Sequence, residues 1–364
     1  MRNTQRVDEE TDVRQALLSK ELCAVHIQTL YQGLEEQFGL KLAAFRRFAE
    51  NSIFFSEGAT HKRLKRFANL TSRMSLTGAK AAYPVIAQKV VDGLPTGEPV
   101  NLTSDFSAPF VNAVVIKSLG LDEGALASYH RWRGNIEWLL ADVPPWREVK
   151  DFNESTGALL SSIEDWFTVE DGAHLQASSF ASFADELTIE EIAYIAAALL
   201  LGSIATSYTL DNALLFVFSD QDRARSWRAG FASDPQTSAD RLISLSSAVP
   251  DVTRVCVAPT RVAGLSVPIG RRVELNLMPD SDSGGACPND MPLNSLSFGA
   301  GRHKCVGEGM AREMVAVGMS ALFAQFQNIQ LVDSGVRRER AHPLRRIIEL
   351  PAILDRIPVE NSKS

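Results

Sequence analysis

The segment from Thr188 to Phe218 is the feature that most limits how this chain can fold. Thr188 and Glu191 have the spacing of a capping box, in which each side chain hydrogen-bonds the other residue's backbone amide at the start of a helix. After this cap the sequence is apolar on nearly every side of a helix. Such a helix is stable in a globular protein only when other elements cover it. The sequence therefore predicts a long helix through the centre of a mainly helical core.

The rest of the chain predicts further helices and one small sheet. Residues 14–48, 62–92 and 108–140 repeat apolar residues at three- and four-residue spacing, which indicates amphipathic helices. Residues 252–277 contain short β-rich pieces separated by Pro and Gly, which favours a small sheet. Residues 309–326 again have the pattern of an amphipathic helix.

Composition excludes several classes of protein. Of 364 residues, 45% are hydrophobic and 22% are charged, which is typical of a globular protein. A net charge of −7 argues against a general nucleic-acid binder. The polar start of the chain has no signal-peptide core, and no apolar run is long and unbroken enough for a membrane helix. We expect a cytoplasmic protein without nucleic-acid or membrane partners, folded as one domain over residues 1–364 with flexible tails at 1–15 and 358–364.

Residues 296–309, LSFGAGRHKCVGEG, combine two glycines, a histidine and a cysteine just before the last predicted helix. Gly299 and Gly301 allow the backbone to turn sharply and to approach a flat ligand closely. Cys305 lies at the start of the helix, where the helix dipole favours a thiolate. A single thiolate held in this way is what an axial haem ligand requires. We expect His303 to point away from the sulfur and to donate to a haem propionate.

A zinc site is an alternative for the same cysteine. Cys23, His26, His303 and Cys305 would supply four ligands of suitable type. However, Cys23 and His26 lie in a predicted amphipathic helix, and zinc would leave Phe298 and the glycines without a role.

Residues 298–307, FGAGRHKCVG, resemble the signature loop of the cytochrome P450 superfamily, Phe-Gly-x-Gly-x-His/Arg-x-Cys-x-Gly. The resemblance implies a mainly α, P450-like fold with its long central helix over the haem, and small sheets. It implies haem b as cofactor, with the thiolate of Cys305 as the iron ligand. The loop residues that it assigns to cofactor binding are Phe298, Gly299, Gly301, His303 and Gly307.

The resemblance extends over about residues 50–330. HKRLKR (61–66) is similar to the family's His-x-x-x-Arg element: His61 matches, and Lys65 with the adjacent Arg66 replaces the arginine. Arg254, at the start of the predicted sheet, matches the family's propionate-binding arginine. The resemblance implies that these residues and His303 neutralise the two haem propionates.

Two elements depart from the family pattern. In the central helix Gly202 is retained, but Ile204 and Ala205 replace the acid and the alcohol that relay protons to the haem site. Thr206 follows directly and, with Ser203, is a candidate for a rearranged relay, although such side chains more often bond their own helix backbone. The candidate catalytic residues are Gly202, Ala205 and Thr206.

The second departure is the family's Glu-x-x-Arg element, which steadies the cysteine loop. The matching positions, 241–244, read Arg-Leu-Ile-Ser. The ion-pair network is therefore absent, or it is rebuilt with Asp240 and Arg241.

Three functions follow from these features. The first is a haem-thiolate oxidoreductase that acts on a small, largely apolar metabolite of specialised metabolism. Its chemistry would avoid the usual relay by using peroxide, protons of the substrate, or an N–O or O–O bond already present. The second is a conventional dioxygen-dependent monooxygenase with a relay through Thr206 and a ferredoxin-type electron donor. The third is a non-catalytic haem-binding or partner-docking scaffold. Replacement of both relay residues favours the first.

Overall fold

The computed structural model describes residues 4–25, 27–122, 128–136, 146–278, 296–339 and 344–358. Within these ranges the protein is mainly helical and has small sheets. The α-helices are α1 Glu10–Leu18, α2 Ile27–Phe38, α3 Ala43–Asn51, α4 Gly58–Ala79, α5 Ala82–Asp92, α6 Ala108–Leu119, α7 Tyr129–Ile136, α8 Trp146–Thr168, α9 Ala173–Gln176, α10 Ile189–Phe218, α11 Gln221–Ser233, α12 Pro235–Ser246 and α13 Glu308–Gln325. The strands are β1 Thr4–Val7, β2 Leu22–Ala24, β3 Pro99–Asn101, β4 Asp251–Cys256, β5 Thr260–Val262, β6 Leu265–Val267, β7 Arg272–Asn276, β8 Phe326–Leu331, β9 Arg337–Arg338, β10 Ile347–Glu349 and β11 Pro351–Arg356.

The predicted central helix is confirmed as α10. Its capping box is complete: the Glu191 amide donates to Thr188 Oγ1 over 3.1 Å, and the Thr188 amide donates to Glu191 Oε2 over 3.0 Å. Helices α4, α6, α8, α11 and α12 pack around it, so most of its side chains are buried. Because α10 is apolar on nearly every side, it forms the axis around which these helices assemble.

Helix α10 is also the one described helix with the length and apolar composition of a membrane span. However, 67% of its most apolar window is buried inside the protein. The core helix of a soluble protein has the same composition, because it is also shielded from water on all sides.

The predicted sheet in residues 252–277 is confirmed, and it positions Arg254, a candidate cofactor-binding residue. Its strands are ordered β1-β7-β4-β2; β4 runs antiparallel to both neighbours, and β1 is parallel to β7. In β4, Arg254 lies opposite Ala24 of β2 and Val273 of β7. The sheet therefore connects Arg254 with the amino-terminal part of the chain.

The amino-terminal part differs from the sequence prediction in two respects. Residues 14–48 are not helical throughout, because β2 pairs with β4 between α1 and α2; Cys23 therefore lies in a strand. Residues 4–15 are not a tail but form β1 and the first part of α1. Their apolar side chains, such as Val7 and Val13, are buried in a second core cluster against β7. Residues 1–3 and 359–364 lie outside the described residues.

A carboxyl group is buried in the carboxyl-terminal half of α10. The side chain of Asp211 is almost fully buried, and its Oδ1 has no hydrogen-bond partner among the described residues. Burial raises the pKa of Asp211 to about 8; Ser107, Arg133 and Arg346 act in the opposite direction but do not cancel this effect. The folded protein therefore holds a proton on Asp211 at neutral pH.

Replacement of Asp211 by Asn should change how stability depends on pH. The unfolded chain releases this proton near pH 4 and the folded protein near pH 8, so between these values the free energy of unfolding falls as pH rises. The slope from one such group reaches up to about 1.4 kcal/mol per pH unit. Urea unfolding between pH 5 and 8 should show a smaller slope for Asp211→Asn. The control Asp222→Asn, at an exposed ion pair with Arg225, should keep the wild-type slope.

Candidate cofactor site

The cysteine loop is a tight turn that precedes α13. Gly299 and Gly301 have φ values of +67° and +70°, in the left-handed region that favours glycine. The Cys305 amide donates to the Phe298 carbonyl over 2.9 Å and closes the turn. The sharp backbone turn predicted from the two glycines is therefore present.

The two glycines have different surroundings. A Cβ atom on Gly301 would lie 2.6 Å from the carbonyl oxygen of Leu17 in α1, whereas a Cβ on Gly299 would meet no atom within 4 Å. Gly301 thus allows the loop to lie against the amino-terminal segment. Gly299 faces open space, as expected for a glycine beside a bulky ligand.

Cys305 as a whole residue is exposed to solvent, but its thiol group is closely surrounded by protein atoms. This desolvation raises the pKa of Cys305; the Gly307 amide and the charge of Lys65 act in the opposite direction without outweighing it. The thiolate expected from the dipole of α13 is therefore not stabilised by the protein alone. A bound metal cation deprotonates such a ligand directly.

His61 lies on α4 beside the loop and is buried. Its Nε2 donates to the carbonyl oxygen of Arg302 over 3.0 Å, and its ring centroid lies 4.2 Å from that of His303. Its Nδ1 is buried without a hydrogen-bond partner among the described residues. A protonated His61 would satisfy Nδ1 by donating to an external carboxylate, so this atom fits a haem propionate.

His303 is engaged differently from what the sequence predicts. Its Nε2 donates over 3.0 Å to Oε1 of Glu57, the residue just before α4. Burial, and then the neighbouring His61, lower the pKa of His303 to about 4. Because Glu57 already accepts this proton, His303 Nε2 is not free to donate to a propionate. Glu57 was missed at the sequence level because it lies outside the His-x-x-x-Arg pattern.

Of the two basic candidates on α4, only Lys65 reaches the loop. Its ammonium group donates to the Lys304 carbonyl, and burial lowers the pKa of Lys65. Arg66 instead extends to Glu186 at the surface, with 3.5 Å between Nη2 and Oε2. Residues next to each other on a helix point in directions about 100° apart, so Lys65 and Arg66 do not share one face.

Arg254 lies in the same cluster, as predicted. Burial, and then the charge of the nearby Arg302, lower the pKa of Arg254 to about 10. Among the described residues neither Arg254 nor Lys65 has a carboxylate partner within ion-pair distance. Two half-buried cations and the free Nδ1 of His61 suit a ligand that carries two carboxylates, as haem does.

The candidate catalytic residues lie on an open stretch in the middle of α10. Gly202 is exposed between two buried residues of this helix, and an added Cβ there would meet no atom within 4 Å. Ala205 is half-buried, and Thr206 is 9% exposed. Ile204, which stands where the family pattern has its acid, is buried in the core with 1% exposure. This position therefore belongs to the apolar core. The helix therefore has a partly exposed stretch at Gly202 and Ala205 without a carboxyl group.

Ser203 and Ser207 do not belong to that stretch. The Ser203 hydroxyl donates to the Leu200 carbonyl over 2.6 Å, and the Ser207 hydroxyl donates to the Ile204 carbonyl over 2.9 Å. Both also contact α7: Ser203 through Tyr129, and Ser207 as acceptor from Arg133. These hydroxyls tie α10 to α7 and give no support to a relay through Ser203.

Thr209, which sequence reasoning missed, anchors a loop to the helix. Its hydroxyl donates to the Ala205 carbonyl over 2.8 Å and accepts from the Ala248 amide over 3.0 Å. The signal in the sequence was its spacing, since it follows Thr206 by three residues and so lies on a neighbouring part of the same face. Thr209 thereby holds the segment before β4 against α10.

The sequence left two alternatives for the ion-pair network that steadies the loop: absence, or rebuilding with Asp240 and Arg241. The structure has a network that includes Asp240. Asp240 of α12 forms an ion pair with Arg312 of α13. Arg312 also pairs with Glu308 over 3.0 Å, and its guanidinium lies 5.1 Å from the centre of the Phe298 ring. Glu308 in turn pairs with Lys304 over 2.7 Å. Arg312, the partner of Asp240, could not be found by matching the family's Glu-x-x-Arg motif, because it lies outside that motif.

The zinc alternative gains no support. His26 lies outside the described residues, and His303 is bonded to Glu57. In the described part of the chain there is no group of three or more His, Cys, Asp or Glu residues that could hold a metal ion.

Substitution of the two loop glycines by Ala should separate backbone strain from close contact. Gly299→Ala should lower the free energy of unfolding by about 1 kcal/mol, the cost of a left-handed conformation. Gly301→Ala should lower it by about 3 kcal/mol, because the Cβ also clashes with Leu17. Urea unfolding of both variants measures the difference. Equal losses would contradict the close approach of Gly301 to α1.

Searches with protein-family models and against curated proteins find no match to this chain. Solved structures do match. P450BioI, in complex with an acyl carrier protein ligated to hexadec-9Z-enoic acid, superimposes with a TM-score of 0.83 at 17% identity, over 96% of this chain and 91% of that one. The tirandamycin C-bound P450 monooxygenase TamI gives 0.79 at 22% identity, over 96% and 89%. CYP154C4 from Streptomyces sp. ATCC 11861 gives 0.79 at 18% identity, over 96% and 90%.

These identities are low, so the likeness concerns the arrangement of the backbone. It covers nearly the whole chain, including α10 and the cysteine loop. It agrees with the fold that the sequence resemblance implies. The protein has the cytochrome P450 fold.

Proposed function

We propose that this chain is a haem-thiolate oxidoreductase of the cytochrome P450 superfamily, formed as one domain, with Cys305 as the axial ligand of haem b. One observation carries the proposal: in a P450 fold, a lone exposed cysteine ends a glycine-rich turn, and the buried central helix is open at Gly202. Both features are what a flat cofactor between loop and helix requires.

The basic cluster supports the same cofactor. His61, Lys65 and Arg254 would bind the two propionates, since each is buried or half-buried and lacks a carboxylate partner among the described residues. Arg66 is withdrawn from this set because it extends to Glu186. Phe298 and Gly307 would shape the loop, the first by its contact with Arg312 and the second by its amide, which bonds the Cys305 sulfur.

The chain's own residues would position the substrate and exclude water. Haem with a thiolate ligand supplies, when bound, the iron centre at which dioxygen or peroxide is activated. Gly202 would leave room for a ligand, since an added Cβ meets no atom within 4 Å, and Ala205 with Thr206 lines the same stretch of α10. Thr209 holds the loop before β4 against this wall. Such a pocket suits a small, largely apolar molecule.

We further propose a role in specialised metabolism in the cytoplasm. The similar structures support a small-molecule substrate: TamI is bound to tirandamycin C, and P450BioI is in complex with a ligated acyl carrier protein. A ferredoxin-type protein is the electron donor that we propose for any reaction that uses dioxygen.

Among the described residues, the part of α10 next to Gly202 carries no acid–alcohol pair that could act as the ordinary proton relay. Ile204 and Ala205 carry no exchangeable proton, and the hydroxyls of Ser203 and Ser207 are bonded to α10 backbone and α7. We therefore propose chemistry that needs no relay from these positions: direct use of peroxide, protons from the substrate, or cleavage of an N–O or O–O bond in the substrate.

A conventional monooxygenase is the second candidate, and the position of Thr206 favours it. Thr206 retains 9% exposure one helical turn after the exposed Gly202, so its hydroxyl could hold or pass a proton beside the bound substrate. A non-catalytic scaffold ranks third, because a protein that only docks partners has no need for the exposed Gly202 on the central helix.

Replacement of Cys305 by Ala should abolish the spectral signature of thiolate ligation. The wild-type protein, reconstituted with hemin, reduced and exposed to carbon monoxide, should absorb at the Soret position typical of thiolate-bound haem. Cys305→Ala should lose that band, whereas the control Cys23→Ala should keep it. A band that survives in Cys305→Ala would contradict the ligand assignment.

Replacement of Thr206 by Val distinguishes the two enzymatic candidates. If Thr206 delivers protons, turnover with a reductase system should fall at least tenfold, which corresponds to about 1.4 kcal/mol. Turnover supported by peroxide should change much less. Tyr194→Phe, which removes a hydroxyl bonded to Glu190 near the start of the same helix, is the control. If Thr206→Val is silent in both assays, the rearranged relay is eliminated.

A further inference from the structure

Glu57 joins three separate parts of the protein at the cysteine loop. Its Oε1 accepts hydrogen bonds from the Ala24 amide over 2.8 Å and from His303 Nε2 over 3.0 Å. Its Oε2 accepts from Arg302 Nε over 2.9 Å. The side chain is only 18% exposed. One carboxylate thus connects the start of α4, strand β2 and the loop that carries Cys305.

Arg302 extends this connection along the amino-terminal segment. Its Nη1 donates to the Ser19 carbonyl over 2.8 Å, and its Nη2 donates to the Leu22 carbonyl over 2.6 Å. Gly301 lies against Leu17 just before it. The loop is therefore held against α1 and β2 by backbone contact and by a guanidinium whose fixed geometry matches three acceptors.

Only an ionised carboxylate satisfies all three donors around residue 57. Burial alone would raise the pKa of Glu57, but the bonds from Ala24, His303 and Arg302 lower it to about 2, so the group is charged at neutral pH. A Gln at this position would turn an NH2 group toward one of the donors and leave Arg302 without its counter-charge.

The hydrogen bond between His303 and Glu57 decides which histidine is available to a cofactor. His303 Nε2 is committed to Glu57, whereas Nδ1 of His61 is buried and unpartnered among the described residues. Lys65 and Arg254 also lack carboxylate partners in the described part of the chain. The groups that could bind carboxylates therefore lie on α4 and β4: Lys65, Arg254 and, when the ring is protonated, Nδ1 of His61.

We propose that Glu57 is a positioning residue: it fixes the Cys305 loop against the amino-terminal segment and withdraws His303 from the haem carboxylates, which His61, Lys65 and Arg254 bind. The haem part of this statement rests on the proposed function. The contacts of Glu57 with Ala24, His303 and Arg302, which we call the clamp, lie within the protein and are testable without cofactor.

The first test compares Glu57→Gln with wild type as hemin-reconstituted proteins. Haem should transfer to apomyoglobin at least tenfold faster from the variant. A larger share of its carbon-monoxide complex should absorb where a protonated thiol ligand absorbs. Glu57→Asp, which keeps the charge on a shorter side chain, should recover part of both effects. The control Glu21→Gln, whose carboxylate accepts a hydrogen bond from the Ser19 hydroxyl on the same segment, should behave as wild type.

A double-mutant cycle tests whether Glu57 acts through Arg302. Arg302→Gln alone should also accelerate haem transfer, and adding Glu57→Gln should accelerate it further by less than threefold, because the partner is already gone. Fully multiplicative effects would overturn the clamp. An unchanged rate and spectrum in Glu57→Gln would overturn it as well.

Hydrogen exchange in the cofactor-free protein separates this proposal from the proposed function. In Glu57→Gln the amides of residues 22–24 and 301–305 should exchange at least tenfold faster, while those of α8 stay unchanged. If wild type shows no thiolate-type band with hemin, the proposed function fails, yet this exchange experiment still decides the clamp. If Glu57→Gln does not fold, His303→Gln removes one arm of the clamp and should give faster exchange at residues 301–305; unchanged exchange there would overturn the proposal.

Discussion

The burial of α10 on nearly every side is the constraint on which the other features of this structure depend. Apolar surface all round a helix is stable only under a continuous layer of other helices, and α4, α6, α8, α11 and α12 supply that layer. Against this background the exposed Gly202 stands out as an interruption of that layer in the middle of the helix. The proposed cofactor site is placed at this interruption.

The cysteine loop is held in place by two kinds of contact. Phe298, Ala300 and Val306 pack against the core clusters, and short polar connections join the loop to four elements. Arg312 and Asp240 tie it to α12 and α13, and Glu57 ties it to α4 and β2. Hydrogen bonds to charged groups are stronger than neutral ones and are directional, so they suit a loop that must hold one atom in place.

Several features of the fold and site follow from local sequence. The capping box at Thr188 and Glu191, the length of α10, the sheet around Arg254 and the turn at Gly299 and Gly301 depend on neighbouring residues or on short periodic patterns, and each is confirmed. The predicted helix through Cys23 and the amino-terminal tail were wrong for one common reason. Strands β1 and β2 exist because they pair with β7 and β4, which are distant in sequence, and no local pattern encodes such pairing.

The sequence by itself determined the fold class, the position of the cysteine loop before a helix and the apolar side chains at Ile204 and Ala205, because these depend on residue type and spacing. Only the tertiary structure decided which side chains meet. It directed Lys65 to the loop and Arg66 to the surface, bonded His303 to Glu57, and turned Ser203 and Ser207 toward α7. The physical reason is that a hydrogen bond forms between groups close in space, and elements far apart in the chain set those distances only after they have packed.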